Sequence, residues 1–376
     1  MNNKPTVFIL GKLPPPFIGP AIATQLILNS ELKNKFNLTH FDTRINADVA
    51  SMGKWSFNKA WKSIQMYFHF LKKINQYQPD LILVPISQTT MGFIKDAPFI
   101  LLGKWKNKKV VIQLRGSNFK NWLNSANSFI NFFIKKTLKN TNGVIVLGKN
   151  LKYLFSDFYP DNNIFVVPNG ANYHLEKRNN HELNVLYFAN FLPSKSFDDI
   201  LKAVLLLKEK NISNFQLNAA GAWDNKQFKN KCLNFIEKHQ LNNVTILPPQ
   251  SGKEKMQLFA NSDVFVFCPK MPEGHPWVIV EAMANSLPII ATNQGAIIES
   301  VIDGKNGFIV PSENPTAIAE KLEILLTDKN KRSEFSNYSK MQYKTYFTEE
   351  KMVENLEKVF ETCIAPQPNK IKKPID

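Results

Sequence analysis

The 376-residue chain contains little cysteine and no long apolar run. Its three cysteines, Cys232, Cys268 and Cys363, make an odd number and lack metal-ligand spacing. This favours reduced thiols in a cytosolic protein over a disulfide framework. No apolar stretch approaches the roughly 20 residues that span a bilayer. The N-terminal residues enter an apolar strand directly, without the h-region of a signal peptide. We therefore expect a globular, cytoplasmic protein.

Several catalytic motifs are also missing. The sequence has no Asp-x-Asp, no His-x-x-x-His, no Gly-x-Ser-x-Gly and no Walker lysine loop. The first loop, residues 11–20, contains a run of three consecutive prolines and two glycines but not the Gly-x-Gly-x-x-Gly of a dinucleotide site, which argues against a dehydrogenase.

Acidic residues are scarce in the first half of the chain. Residues 1–170 hold 22 Lys and Arg against 7 Asp and Glu, whereas residues 171–376 hold 25 against 24. Nearly all of the net charge of +16 therefore lies in the first half. This asymmetry indicates either an anionic partner, such as a membrane surface, or simply a lysine-rich solvated surface. Nucleic acid is not expected, because no recognised binding module is present.

Short apolar runs alternate with helical stretches, which is the signature of βαβ units and a parallel sheet. Each half of the chain holds six such runs. Because the whole chain is too long for one ordinary core, we predict two doubly wound α/β domains facing a central cleft. Pro168-Asn-Gly170 and the polar residues after it mark the boundary. The predicted strands are Thr6–Leu10, Asn37–Asp42, Asp80–Ile86, Lys109–Leu114, Gly143–Leu147, Ile164–Val167, Leu183–Phe188, Phe215–Ala220, Val244–Leu247, Val264–Cys268, Pro288–Thr292 and Gly307–Val310.

Residues 263–311 carry the most information. They predict strand, loop, helix, strand, turn and strand, with Glu273 before the helix and Glu281 about one turn into it. Pro276 suits the first helical position, N1, because its missing N–H would be unpaired there. First-turn acids can simply stabilise a helix dipole. Alternatively, the two carboxylates accept hydrogen bonds from the hydroxyls of a sugar or ribose.

Cationic and glycine-containing loops follow other predicted strands. Lys195 lies in the turn after the first strand of the second half, where α/β folds bind phosphate. Gly19 lies in the first loop, and Arg115 begins a loop that follows a strand of the basic half. A lone lysine in a loop is usually only solvated, so the functional interpretation of Lys195 rests on its position.

Two predicted helices combine aromatic and basic residues. Such stripes are usually core that packs on a sheet, and the alternative is interfacial anchoring beside anionic lipid. The first stripe comprises Phe57, Trp61, Ile64, Phe68 and Leu71, with Lys54, Lys59, Lys62, Lys72 and Lys73 nearby. The second comprises Phe119, Trp122, Phe129, Phe133 and Leu138, with Lys120, Lys135, Lys136 and Lys139.

With these residues in view, the chain resembles the retaining glycosyltransferases of family four, also called glycosyl transferases group 1, which have the GT-B fold. Pro272–Ala284 is similar to the family's glutamate, seven residues, glutamate motif, and 168–170 to its Pro-Asn-Gly signature. Gly295–Glu299 and Asp303–Gly307 are similar to its following Gly-x-x-x-Glu and Asp-Gly-x-x-Gly elements.

The resemblance implies a nucleotide-sugar donor, with UDP-sugar favoured, and neither a metal nor another cofactor. Glu273 and the N–H groups of Gly274 and His275 would meet the donor sugar, and Glu281 the ribose. The N–H groups of Trp277 and Val278, together with Lys195 and Gly19, would meet the diphosphate.

The sequence departs from the family in three places. Asn190 replaces an arginine among the donor-binding positions, Arg115 replaces a histidine, and Pro20 replaces the second glycine of the first loop. We hypothesise that Arg115 supplies the missing charge across the cleft, which would make it catalytic together with Glu273 and Lys195. Under the resemblance the leaving phosphate assists the acceptor hydroxyl, so no dedicated protein base is needed.

The expected function is transfer of a sugar to a hydroxyl of a glycan or lipid-linked acceptor in cell-envelope polysaccharide synthesis. The alternatives are a nucleotide-sugar epimerase of the same fold and a non-catalytic membrane-associated binding protein. The expected organisation is an acceptor-side domain at 1–170, a donor domain at 171–345, a helix at 346–363 that crosses back to the first domain, and a disordered tail at 364–376. An anionic membrane surface, at the inner face of the cell membrane, is expected to bind residues 1–170.

Overall fold

The computed structural model describes residues 4–44 and 57–365. Twelve strands form in this part of the chain: β1 Thr6–Gly11, β2 Asn37–Asp42, β3 Leu81–Ile86, β4 Lys109–Leu114, β5 Gly143–Val146, β6 Ile164–Val166, β7 Asn184–Phe188, β8 Gln216–Ala220, β9 Val244–Leu247, β10 Val264–Phe267, β11 Ile289–Thr292 and β12 Gly307–Val310.

The α-helices that the structure describes lie mostly between these strands. They are α1 Gly19–Asn29, α2 Phe57–Tyr77, α3 Thr90–Trp105, α4 Phe119–Ser125, α5 Ser128–Leu138, α6 Phe197–Glu209, α7 Lys226–Lys238, α8 Gly252–Ala260, α9 Trp277–Ala284, α10 Ile297–Ser300, α11 Pro315–Thr327, α12 Lys329–Tyr346 and α13 Glu349–Ile364. None of them is long and apolar enough to cross a membrane.

The strands form two six-stranded parallel sheets. The first has the order β2-β1-β3-β4-β5-β6 and the second β12-β11-β10-β7-β8-β9. In the second sheet β7 lies between β8 and β10, so the strand order reverses between β7 and β10. We call β1–β6 with their helices the first unit and β7–β12 with theirs the second unit. This architecture confirms the predicted fold class of two doubly wound units.

Helices cover both faces of the first sheet, which explains why its strands are apolar on both sides. One face packs against α2, α3, α4 and α5 through side chains such as Phe70, Phe99 and Trp122. The other packs against α1 and the last helix, α13, through Met352 and Phe360 among others. The chain therefore returns to the first unit at its described end. The domain bounds at 170 and 345 stay predictions, and residues 366–376 of the expected tail lie outside the described residues.

The apolar runs predicted every strand to within a residue or two. Asn314 caps α11 by accepting from the Ala317 N–H, and Pro315 is its first residue. The prediction for Pro276 was wrong by one position, because Pro276 is the N-cap of α9 and Trp277 is its first residue.

The interpretation of the aromatic stripes as core was partly wrong. In α2 the side chains of Trp61, Ile64 and Phe68 are exposed, and the helix instead buries Phe70 and Ile74. The second stripe spans two helices, because Asn127 caps a new helix through a bond from the Ile130 N–H. Phe119 and Trp122 are buried on α4, whereas α5 carries both an exposed member, Phe129, and a buried one, Leu138. Lys54 and the side chains of Phe57 and Lys59 lie outside the described residues.

Candidate active site

The two sheets direct the candidate residues to one place because of strand order. In an open parallel sheet, ligands bind at the carboxyl ends of the strands where the order reverses. In the second sheet the reversal lies between β7 and β10. Lys195 follows β7 and Glu273 follows β10. In the first sheet Gly19 follows β1 and Arg115 follows β4, at the same edge.

A small cavity of about 150 Å³ lies where these loops meet. Six of the ten sequence-predicted site residues line it, with both units contributing. Its lining comprises Gly19, Pro20, Arg115, Asn169, Glu273, Gly274, His275, Pro276 and Trp277.

Lys195 and Glu273 form an ion pair between the ammonium Nζ and the carboxylate Oε1. Lys195 ends a short 3₁₀ turn, residues 193–195, and Ser196 then takes a left-handed conformation before α6 begins. Each side chain keeps only about a fifth of its surface exposed, 21% for Lys195 and 18% for Glu273. The Lys195 Nζ also lies 5.3 Å from the centre of the Phe267 ring. A cation and an acceptor are thus held together at the strand-order reversal.

Glu281 is buried one turn into α9, with 6% of its surface exposed. Its Oε1 pairs with Lys255 Nζ of α8 at 2.6 Å. Its Oε2 has no hydrogen-bond partner among the residues that the structure describes. A buried carboxylate oxygen without a partner is rare in native proteins and indicates a ligand or solvent acceptor position. Sequence analysis missed Lys255, which reaches Glu281 only through the packing of α8 on α9.

His275 is fully buried at the joint between the units. Its Nδ1 accepts from the Asn169 N–H at 3.0 Å, so Nε2 carries the proton and donates to Ser300 Oγ at 2.6 Å. The Asn169 side chain donates to the His275 carbonyl at 2.6 Å. Burial lowers the pKa of His275 to about 3. The ring is therefore a neutral connection between the Pro-Asn-Gly segment and the second unit.

This burial predicts a pH dependence of stability. In the unfolded chain the His275 pKa returns to 6.5, so below pH 6.5 the unfolded state binds more protons than the folded state. The stabilising contribution is complete above pH 6.5 and is lost as pH falls towards 3. At pH 5 the loss should be about 2 kcal/mol, from 1.36 kcal/mol per pKa unit. Urea unfolding at pH 7 and pH 5 measures this change in the free energy of unfolding. Between the two pH values the natural protein should lose about 2 kcal/mol more than His275→Gln, and equal losses in the two would contradict the assignment.

Arg115 contributes a cation from the first unit. Its guanidinium donates to Asn169 Oδ1 at 3.2 Å and to Gln113 Oε1 at 3.0 Å. Both partners are neutral, and in the described part of the chain Arg115 makes no ion pair. Burial lowers its pKa to about 10, which leaves the group charged at neutral pH. An enclosed guanidinium without a carboxylate partner is suited to an anion.

The two units approach so closely that one glycine is required at the seam. A Cβ on Gly274 would lie 2.4 Å from the Arg115 carbonyl oxygen, too short for any side chain. Beside it, Trp277 crosses to the first loop and donates from Nε1 to the Gly19 carbonyl at 3.3 Å. Farther along, the Asn150 side chain donates to the Gly295 carbonyl at 2.6 Å, and the Asn150 N–H to Glu299. The predicted motifs at 273–277 and 295–299 are therefore both cross-unit contacts.

Four predicted residues do not line this cavity. Lys195 pairs with Glu273 of the lining and Glu281 pairs with Lys255, whereas Asn190 and Val278 belong to neither ion pair. Asn190 is exposed, and its Oδ1 accepts from the Ala222 N–H at 3.4 Å. The Val278 side chain packs against the apolar core of the second unit. Their roles in donor binding, like those of the other site residues, stay predictions.

The fold is shared with solved structures at low sequence identity. Sucrose-phosphate synthase from Thermosynechococcus elongatus superposes with a TM-score of 0.75 at 14% identity, covering 95% of this chain and 98% of that one. Anabaena HepE, solved in complex with UDP, gives 0.75 at 14% identity, covering 95% and 100%. The chain therefore has the fold of the GT-B glycosyltransferases.

Sequence comparison finds similarity to known glycosyltransferases. Residues 174–342 match the family model of the glycosyl transferases group 1. An uncharacterized glycosyltransferase of Methanocaldococcus jannaschii is 30% identical over 231 residues, 61% of this chain and 62% of the relative. The capsular polysaccharide biosynthesis glycosyltransferase CapM of Staphylococcus aureus is 27% identical over 233 residues, 61% and 58%. The matched region thus spans about three fifths of each relative's length.

Proposed function

We propose that the protein is a retaining, metal-independent glycosyltransferase. It moves a sugar from a nucleoside diphosphate sugar, with UDP favoured, to a hydroxyl of a glycan or lipid-linked acceptor. The observation that carries this proposal is the Lys195–Glu273 pair at the reversal between β7 and β10, facing Arg115 and Gly19 of the first unit. The match of residues 174–342 to the glycosyl transferases group 1 and the solved complex of HepE with UDP support the same donor class.

The proposed roles follow from charge and hydrogen-bonding capacity. Carboxylates accept from hydroxyls and repel phosphate, so Glu273 takes the donor sugar and Glu281, through its unpaired Oε2, takes the ribose. The diphosphate is bound by Lys195, by Arg115 and by the N–H groups at the start of α9. The first N–H groups of a helix have no partner within the helix and are free to bind an anion. These donors stabilise the charge that develops on the leaving group, so the reaction needs no metal ion in this proposal.

Donor entry requires the two units to separate. Pockets for small-molecule ligands usually measure about 300–1,000 Å³. The cavity between the units measures about 150 Å³, which is too small for a nucleotide sugar. When a donor enters, the ion pair exchanges partners, with Lys195 turning to phosphate and Glu273 to a sugar hydroxyl. Closure over the donor then excludes water from the reacting atoms.

A thermal-shift screen of nucleotide sugars, followed by acceptor-free assays on each hit, tests the proposal. A transferase should be stabilised by one nucleotide sugar and its nucleoside diphosphate, and should release the diphosphate slowly without acceptor. An epimerase would release nucleotide freely without any acceptor, and a non-catalytic protein would keep its function after Glu273→Gln and Lys195→Met. No stabilisation by any nucleotide sugar would contradict the proposal.

Arg115→Ala tests the contribution of the first unit. Hydrogen bonds to charged groups contribute about 1.5–3 kcal/mol, so we expect donor affinity or turnover to fall roughly tenfold to a hundredfold. Lys149→Ala is the matched control, because Lys149 is an exposed cation at the same sheet edge but outside the cavity lining. Unchanged affinity and turnover in Arg115→Ala would remove Arg115 from the mechanism.

We also propose that the acceptor belongs to cell-envelope polysaccharide synthesis and is met at the inner face of the cell membrane. The charge asymmetry of residues 1–170 supports an anionic surface as the partner of the first unit. A relative in sequence, CapM of Staphylococcus aureus, acts by its name in capsular polysaccharide biosynthesis.

A further inference from the structure

Three neighbouring helices of the first unit expose apolar side chains on the side away from the core. Among the residues that the structure describes, 17 large hydrophobic side chains are exposed, and nine of these lie in α2, α3 and α5. Single exposed apolar residues are ordinary, whereas a contiguous group marks an interaction surface. The nine are Trp61, Ile64, Phe68, Met91, Ile94, Leu101, Trp105, Phe129 and Phe132. We call them the apolar face.

The apolar face has helical spacing. In α3 the exposed members follow one another at three, seven and four residues, which keeps them on one side of the helix: Met91, Ile94, Leu101 and Trp105. Residues of the opposite side, such as Phe93 and Ile100, are buried. The helix thus has apolar residues on two sides, and only one of them is covered by the sheet. Between α2 and α3 an apolar groove of about 380 Å³ is lined by Ile64, Phe68 and Leu101, among others. The face is therefore continuous from α2 to α3.

The same helices are strongly basic. In sequence, α2 contains four lysines, α3 two and α5 two, and the one acid in the three helices, Asp96, is buried. Lys62, Lys72 and Lys136 are exposed. The Lys106 Nζ lies 4.6 Å from the centre of the Trp105 ring, so a cation accompanies an exposed indole. Aromatic and basic side chains together are typical of surfaces that lie in a membrane interface.

We propose that the apolar face docks onto the surface of an anionic lipid bilayer. This inference rests on the membrane partner proposed above for the first unit and assigns it to these three helices, but it does not depend on the proposed reaction. Symmetric pairing with a second copy would place these uncompensated lysines against one another, whereas anionic headgroups neutralise them. Met91 lies in the first turn of α3, the helix that follows the carboxyl end of β3. The α3 part of the apolar face therefore begins at the sheet edge that bears the cleft. From there it runs roughly 20 Å along the helix. A membrane on this face would lie beside the cleft entrance, within reach of a lipid-linked acceptor.

Vesicle sedimentation of the full chain tests the proposal without any nucleotide sugar, so its failure is distinguishable from failure of the proposed function. The probes are vesicles of phosphatidylcholine with and without phosphatidylserine. We expect binding to the anionic vesicles that weakens as salt is added. Burial of one large apolar side chain contributes enough for roughly a tenfold change, so Trp105→Glu with Phe129→Glu should lower the partition coefficient at least tenfold.

Matched controls and a conservative readout separate docking from misfolding. Leu233→Glu and Tyr346→Glu change exposed apolar residues of the second unit and should leave binding unchanged. Lipids brominated in their acyl chains should quench tryptophan fluorescence of the natural protein, and Trp61→Phe with Trp105→Phe should remove most of that quenching. Three results would overturn the proposal: equal, salt-independent binding to neutral vesicles, binding unaffected by the glutamate variants, or vesicle-free self-association that those variants abolish.

Discussion

Lys195→Met is expected to lower kcat/KM for the donor identified by the screen by about two to three orders of magnitude. This magnitude is typical of removing one preorganised hydrogen-bond donor that stabilises the charge developing in a transition state. Lys195 is held in place by Glu273 and by the Phe267 ring, so little reorganisation is needed before it meets a diphosphate. The effect should appear mainly in kcat, because charge on the leaving diphosphate increases as the bond to the sugar breaks.

The measurement is release of nucleoside diphosphate with purified variants at matched concentration. Lys229→Met is the control, because Lys229 is an exposed lysine of the second unit on α7, away from the cavity. Lys195→Arg keeps the charge and should retain part of the activity, although the guanidinium has a different shape. Equal kcat/KM in Lys195→Met and the natural protein would exclude Lys195 from the chemistry and leave its pair with Glu273 as a structural feature.

Lys255→Met is expected to lower the free energy of unfolding by about 3 kcal/mol. Removing one partner of a buried ion pair leaves an uncompensated charge, at a cost of about 3–5 kcal/mol. The lower end applies because 21% of the Lys255 side chain remains exposed, against 8% for Glu281. The Glu281 carboxylate would also lose its hydrogen bond on Oε1, and its Oε2 already has no partner among the described residues.

Urea unfolding measures this cost, and a double-mutant cycle assigns it. Glu281→Gln together with Lys255→Met removes both charges, so it should be more stable than Lys255→Met alone. Lys253→Met, an exposed position of the same helix, should change stability by less than about 0.5 kcal/mol. A loss below 1 kcal/mol in Lys255→Met would show that Glu281 is solvated or held by other groups. Donor affinity of Glu281→Gln then separates its ribose role from its structural one.

Sequence patterns predicted local structure and most of the candidate residues. The unalternated apolar runs predicted twelve strands because a strand between two helix layers must be apolar on both sides. The position of a residue just after such a run was enough to select Lys195, Glu273 and Arg115, since parallel strands bring their carboxyl ends to one edge.

Patterns within a single helix were less reliable. An apolar stripe on α2 and α3 does not say whether a sheet or solvent faces it, because both sides of these helices carry apolar residues. The exposed side was decided by packing, which placed Phe70 and Phe93 in the core and left Phe68 and Trp105 outside. Likewise, Asn127 ended the second stripe early, since its side chain caps a new helix.

The sequence by itself determined the order of strands and helices, the basic character of the first unit and the residues that follow each strand. Only the tertiary structure decided which of those residues meet. The pairing of Lys255 with Glu281, the burial of His275 between Asn169 and Ser300, and the contact of Gly274 with Arg115 join segments 25 or more residues apart. The physical reason is that periodicity and turn chemistry act within a few residues, whereas these contacts depend on how whole helices and sheets pack.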